Sequence, residues 1–196
     1  MTYNKPDTKL DECIFVAQKI IPADLCDAIV QDIEKRKWKP HTWYSNVKDS
    51  YFSETKELDI QYATPQLQKE LKNYVIESGR QYNKNYAYHL STWKTNQMMN
   101  FFSTVRFNRY APGQIMRQHH DHIHSLFDGQ HKGIPVLSFI MNFNDDYEGA
   151  DLFFWEDTIV KLGKGDIIMF PSNFLFPHGV TEATKGKRYS GVCWAW

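Results

Sequence analysis

Two periodicities divide this chain. Leu25, Ile29 and Ile33 recur at every fourth position, which predicts one apolar stripe on a helix running to about Lys35. Pro22, just upstream, suits a first helical turn, where its missing N–H has no partner to lose. Thr64-Pro65 reads as an N-cap followed by proline at the first helical position. Leu67, Leu71, Tyr74 and Val75 then continue a second amphipathic helix into the 80s. Before the first helix, Cys13 to Gln18 is a short apolar run that predicts a strand, and residues 1–10 read as a frayed lead-in. Residues 38–56 mix polar and aromatic positions (Trp38, Trp43, Tyr44, Tyr51, Phe52), the pattern of a long loop or ragged hairpin.

From Phe101 onward the period shortens. β-type runs at 102–110, 134–143, 151–155, 158–162, 166–170, 175–180 and 187–196 alternate with turn signals. Those signals are Asp145-Asp146, Glu148-Gly149, Gly163-Lys164-Gly165 and Lys185-Gly186. Helices first and many short strands afterwards predict an α+β chain with a mainly β core, a double-sheet jelly roll or barrel braced by the N-terminal helices. No repeat or linker breaks the pattern. The 196 residues suit one domain, with 1–100 as support and 101–196 as core.

Composition narrows the function. Hydrophobic residues make up 42% and aromatics 15%, enough for a packed core rather than a disordered chain. The 23 basic and 23 acidic residues cancel, so no polyanion such as nucleic acid is expected as partner. Three scattered cysteines, Cys13, Cys26 and Cys193, form no CxxC pair and read as thiols of a reducing compartment. No apolar run reaches the roughly 18 residues of a membrane helix. The stretch MTYNKPDTKLDE is polar, unlike a secretory signal, so the cytoplasm is the expected location.

The candidate chemistry lies in His119-His120-Asp121. In a strand, residues two apart share a face, so His119 and Asp121 enter a barrel together while His120 points away. Ile115 and Arg117 share their parity, and Met116 and Gln118 share that of His120. Alone, the triplet is weak, since a histidine near a loop usually just finds a hydrogen-bond partner. Nearby His120, His122, His124 and His131 fit a solvated or adventitious cluster equally well. His178 in FLFPHGV and Arg188 in GKRYSGVCWAW change the picture. Thr181–Gly186 reads as a hairpin turn, and a hairpin centred near residue 183 sets 178 opposite 188 on one face. Ser190 shares that face and offers a hydroxyl. Two imidazoles and one carboxylate leave part of a metal's coordination sphere open, as in non-haem Fe(II) sites. Arg188 alone would read as a surface cation; facing a barrel interior, it needs an anion, which a dicarboxylate co-substrate would supply.

In this order the residues resemble the Fe(II)/2-oxoglutarate-dependent oxygenases, specifically their prolyl 4-hydroxylase-like branch, over roughly residues 100–196. Arg109-Tyr110-Ala111-Pro112-Gly113-Gln114 leads into His119 with the family's spacing. Ser138 to Asn144 and Asp146 to Leu152 look like its next paired strands, and Gly165-Asp166, His178, Arg188 and Trp194 complete the series. The resemblance implies a double-stranded β-helix in which His119, Asp121 and His178 bind Fe(II) and Arg188 holds the distal carboxylate of 2-oxoglutarate. It places Tyr110 and Asn142 at further co-substrate contacts, Asn142 standing where relatives also carry tyrosine. Two departures stand out. Ala150 replaces the second glycine of Glu-Gly-Gly, a small change that a strand should accept, and Pro135 stands where some prolyl hydroxylases carry an arginine.

The implied reaction consumes 2-oxoglutarate and O2, with ascorbate as a stimulant, and hydroxylates an unactivated C–H. A prolyl residue in a peptide or protein is the first expectation for the substrate. A free amino acid or other small metabolite, or a non-catalytic metal-binding cupin-like module, are the alternatives. Segments 38–56 and 122–133 are the expected substrate covers, because loops on a rigid barrel commonly carry specificity. The aromatics of the first could instead pack it onto the barrel.

Overall fold

The computed structural model describes residues 9–45, 48–54, 56–86, 99, 101–121 and 133–196. Residues 1–8, most of the expected lead-in, and 122–132, nearly all of the expected second cover, lie outside them. The N-terminal part holds β1 (Phe15–Ala17), α1 (Ala23–Glu34), β2 (Lys39–Pro40), β3 (Trp43–Ser45), β4 (Ser50–Phe52), β5 (Asp59–Tyr62) and α2 (Pro65–Tyr86). The strand-rich part follows with β6 (Arg106–Tyr110), β7 (Met116–His119), β8 (Leu137–Asn142), β9 (Glu148–Gly149), β10 (Leu152–Phe154) and β11 (Thr158–Val160). It ends with β12 (Ile167–Pro171), β13 (His178–Val180), β14 (Ala183–Lys185) and β15 (Arg188–Ala195).

Both helices stand where the fourfold periodicity puts them. Thr64 Oγ1 accepts the Leu67 N–H at 3.3 Å, so the expected N-cap of α2 is formed. Among the described residues the strands make a seven-stranded antiparallel sheet, ordered β1-β12-β8-β15-β6-β5-β2, and a four-stranded sheet, β11-β10-β13-β7. The short pairs β14-β9 and β3-β4 complete the set. This is a jelly roll braced by helices, as the order of elements predicts.

The layers follow from what each face buries. Ile29 and Ile33 of α1 and Leu71 and Val75 of α2 pack with Phe107, Phe139, Met141 and Met169 on the outer face of the large sheet. Ile140, Ile168, Phe170 and Val192 on its inner face pack with Met116, Leu152, Phe154 and Val180 of the small sheet. Strand β8 is therefore buried at every position, because both of its faces are covered. Each fully buried phenylalanine in these layers contributes about 1.5–3 kcal/mol through removal from water.

Three expectations need correcting. The segment Thr181–Gly186 is not a hairpin turn joining the strands of His178 and Arg188. Ala183–Lys185 forms β14, which pairs with β9, while β13 pairs with β10 and β7. Arg188 sits instead in the large sheet, between β6 and β8. Second, the sequence pattern assigns no element to residues 57–63, yet β5 forms there and pairs with β6 and β2. Third, Ala150 does not occupy ordinary strand geometry. It has φ +50, and Gly149 before it has φ +71. A Cβ at Gly149 would meet Glu182 O at 2.2 Å, so glycine is needed there. Ala150 tolerates the left-handed region at a cost of roughly 1–2 kcal/mol, and its carbonyl faces Arg188.

Candidate metal centre

His119 ends β7 and His178 begins β13, and the two residues are direct cross-strand partners. Their ring centroids lie 4.5 Å apart. Asp121 lies two residues beyond β7, and its carboxylate oxygens stand 3.8 Å from each Nε2. One ligand atom from each of the three falls within 4.8 Å of the others.

The pairing is bulged. His178 faces His119 and Val180 faces Met116, so β7 advances three residues while β13 advances two. The extra residue brings Met116 to the cavity lined by His119, Asp121 and His178. Simple alternation assigns Met116 to the opposite face, so parity was right for His119 and Asp121 and wrong for Met116. Of the bystander histidines, His120 is half-buried, and His122, His124 and His131 lie outside the described residues.

Hydrogen bonding fixes which nitrogen each imidazole offers. His119 Nδ1 is 2.8 Å from Arg117 O, and His178 Nδ1 is 3.0 Å from Phe176 O. A carbonyl can only accept, so each ring carries a proton on Nδ1 and turns Nε2 toward Asp121. Burial, and then the His178 ring, lower the His119 pKa to about 4, which keeps that ring neutral at physiological pH. Burial alone would raise Asp121; the two imidazoles and the Ser138 hydroxyl outweigh it and hold the carboxyl below its usual range. Two imidazoles and one carboxylate are a donor set suited to a divalent metal.

Residues that sequence reading missed support this set. Ser138 donates to Asp121 Oδ2 and lies 2.6 Å from Ser172 Oγ. Its signal was available, since Ser138, Ile140 and Asn142 alternate along β8 toward the inner face. Trp43 sets its ring edge against His119, at 5.4 Å and 76°. Arg117 lies over Trp43 at 5.1 Å and pairs with Glu57 at 2.9 Å. Thus in segment 38–56, Trp43 packs inward on a candidate ligand, while Tyr51 and Phe52 are exposed. The Tyr44 side chain lies outside what the structure describes. Ser138→Ala is expected to weaken divalent-metal affinity by about 10–100-fold, the usual cost of losing a partner that orients a ligand. Metal titration followed by intrinsic fluorescence would measure it, and unchanged affinity would make the Ser138 contact incidental.

Beside the triad, Arg188 is 1% exposed and is the largest fully buried side chain among the described residues. Its Nε donates to Asn142 Oδ1 at 3.0 Å and Nη1 to Ala150 O at 2.9 Å, and its guanidinium lies 5.6 Å from the Tyr110 ring centroid. No carboxylate among the described residues pairs with it. Asn142 directs its amide hydrogens to the carbonyls of Asn144, Leu162 and Gly163, which leaves its oxygen to hold Arg188. Ser190 lies opposite Asn142 and Asn108 in the neighbouring strands and is buried with Arg188. The large sheet therefore brings Tyr110, Asn142, Arg188 and Ser190 together, and the small sheet adds the three candidate ligands from across the core. A buried cation without an anion, next to a metal-type donor set, can receive a bound carboxylate.

Comparisons with known proteins agree with this geometry. The 2OG-Fe(II) oxygenase superfamily matches residues 105–196. A PKHD-type hydroxylase of Idiomarina loihiensis is 35% identical over 95 residues, 46% of this chain and 40% of its own length. Prolyl 4-hydroxylase 1 of Arabidopsis thaliana is 28% identical over 111 residues, 46% of this chain and 39% of its own. The matched stretch is thus about two fifths of either relative. A Trichoplax adhaerens prolyl hydroxylase, solved with a hypoxia inducible factor peptide fragment, superposes with a TM-score of 0.68 at 12% identity, covering 94% of this chain and 84% of that one. At that identity the likeness is one of fold.

Proposed function

We propose that the protein is an Fe(II)- and 2-oxoglutarate-dependent hydroxylase of prolyl residues in a peptide or protein, a reading supported by the match of residues 105–196 to the 2OG-Fe(II) oxygenase superfamily. The observation that carries this reading is the His119–Asp121–His178 set beside a buried Arg188 with no carboxylate partner among the described residues. His119 Nε2, His178 Nε2 and Asp121 would hold the iron. Arg188 would receive the distal carboxylate of 2-oxoglutarate, with Tyr110 flanking it, Asn142 orienting it and Ser190 adding a hydroxyl. Iron with 2-oxoglutarate and O2 supplies the oxidising chemistry; the chain supplies orientation, ligand protonation and a dry surround.

The prolyl assignment draws support from the names of the relatives, among them a fold neighbour solved with a peptide. We read the β3–β4 hairpin, anchored through Trp43 and carrying exposed Tyr51 and Phe52, as a cover for such a substrate. We also read the helical support and the jelly roll as one domain, since a continuous core joins them. Its three cysteines are free, Cys26 and Cys193 pushed by burial to about 11 and about 12, which suits a reducing compartment such as the cytoplasm. No helix among the described residues is long and apolar enough to cross a membrane.

The test is turnover. Purified protein with Fe(II), ascorbate and 2-oxoglutarate is expected to form succinate and to add one oxygen atom to members of a proline-peptide panel, read by mass spectrometry. Oxygen added only to small acids would move the substrate to a free metabolite. No succinate with any substrate would replace the hydroxylase with a metal-binding module.

A further inference from the structure

The chain has six arginines, all within the described residues. Four are paired with carboxylates. Arg36 meets Asp32, Arg80 meets Glu77, Arg109 meets Glu34 and Asp59, and Arg117 meets Glu54 and Glu57. The two without a carboxylate partner among the described residues are Arg188 and Arg106, and both belong to the inner face of the large sheet. Arg188 has a use in the reading above. Arg106 does not.

Strand parity puts Arg106 on the site side of β6. Phe107 enters the outer core, and Arg109 reaches Glu34 of α1. Arg106, Asn108 and Tyr110 line the cavity with His119, Asp121 and His178. The Arg106 guanidinium lies 5.3 Å from the Trp194 ring centroid, and its Nε donates to Asn108 Oδ1 at 3.1 Å. Among the described residues no other protein partner engages its terminal N–H groups. Stacking on an aromatic face while turning the edge outward is how arginine is pre-set for a planar anion.

The register separates the two cations. Arg188 lies opposite Tyr110, whereas Arg106 lies opposite Val192, four residues farther along β6. At roughly 3.4 Å per residue the two backbone positions are about 14 Å apart along the strand. On β8, Asn142 holds Arg188 at one end, while Ser138, at the other, holds Asp121 and faces Trp194 across the ladder. The two guanidiniums therefore approach the metal centre from opposite ends of one face. A co-substrate held at Arg188 leaves Arg106 on the side where the second reactant must lie.

We propose that Arg106 receives a carboxylate of the substrate and selects for a hydroxylation target with an acidic group near the oxidised carbon. This rests on the hydroxylase reading above. The carboxylate can come from a glutamate or aspartate beside the target proline, or from a free α-carboxylate at a C-terminus or on a small acid.

Matched pairs decide it: Pro-Glu against Pro-Gln peptides, and C-terminal acids against their amides. Each is measured as KM in turnover and as Kd by calorimetry with Mn(II) and 2-oxoglutarate bound under anaerobic conditions. The wild type is expected to prefer the acid by about 10–100-fold in one pair type, the usual worth of a charge-assisted hydrogen bond. The pair type that shows the preference names the source of the carboxylate. Arg106→Gln is expected to bring the acid-to-amide ratio close to one, and Arg106→Lys to restore part of it. Because each protein is compared with itself, a general loss of fold does not imitate the result. Equal affinity for acid and amide in the wild type, or a ratio that survives in Arg106→Gln, overturns the proposal. Absence of succinate from the wild type instead overturns the hydroxylase reading, and the calorimetric ratio still decides Arg106.

Discussion

Asp121→Ala is expected to abolish 2-oxoglutarate turnover while the protein stays folded. The carboxylate stands 3.8 Å from both Nε2 atoms and is the only anion in the three-residue set. Without it two imidazoles remain, and an imidazole ligand carries no negative charge to offset that of a divalent ion. Losing a partner that merely orients a ligand costs about 10–100-fold in metal affinity, so losing the ligand itself should cost at least about 100-fold. The fold should survive for stated reasons. Asp121 lies beyond the end of β7 and makes no ladder bond, and Ser138 keeps Ser172 Oγ at 2.6 Å. The neighbouring His119 is held neutral, so no buried charge is left without its partner. Metal titration, succinate formation and circular dichroism together measure this. Wild-type metal affinity in a folded Asp121→Ala protein removes Asp121 from the ligand set.

The His119–Asp121 pair was legible because its information is local. His119 and Asp121 are two apart, and strand parity alone puts them on one side. Arg188 was legible for the wrong reason. Opposition across a turn near residue 183 placed it beside His178, yet the two strands belong to different sheets. They converge because a jelly roll turns the inner faces of both sheets onto one core. The same turn residues, Lys185-Gly186, can close a hairpin or redirect the chain to another sheet, and sequence spacing does not separate the two. Met116 was misassigned because a bulge adds one residue to β7, and a bulge leaves no mark in the hydrophobic pattern. The α1 and α2 boundaries, by contrast, follow from proline, threonine and a fourfold stripe, all read within one or two turns. Trp43 and Glu57 were invisible as neighbours of the site. Their contacts with His119 and Arg117 span about 60 to 76 residues of sequence, and no periodicity reports such a distance.

Arg188→Met is expected to separate stability from co-substrate binding. A guanidinium buried without an anion carries a desolvation cost of several kcal/mol. Against it stand two hydrogen bonds from a charged donor, to Asn142 Oδ1 and Ala150 O, each worth about 1.5–3 kcal/mol. The Tyr110 face adds about 0.5–2 kcal/mol. Methionine removes the desolvation cost and these bonds together, and Asn142 Oδ1 retains the Tyr147 hydroxyl at 3.4 Å. The terms nearly cancel, so the Tm of the ligand-free protein should move by only a few degrees. The response to 2-oxoglutarate should differ sharply. A ligand at a hundred times its Kd stabilises by about 2.7 kcal/mol, and each kcal/mol shifts Tm by about 2–4 °C in a domain of this size. With Mn(II) present, the wild type should therefore gain about 5–10 °C from saturating 2-oxoglutarate. Arg188→Met should gain nothing at that concentration, and its KM for 2-oxoglutarate should rise by at least about 100-fold through the lost paired bonds to a carboxylate. A variant that 2-oxoglutarate still stabilises to the wild-type extent would move the dicarboxylate to another cation. Arg106 is then the residue to test, as the other arginine of that inner face with no carboxylate partner among the described residues.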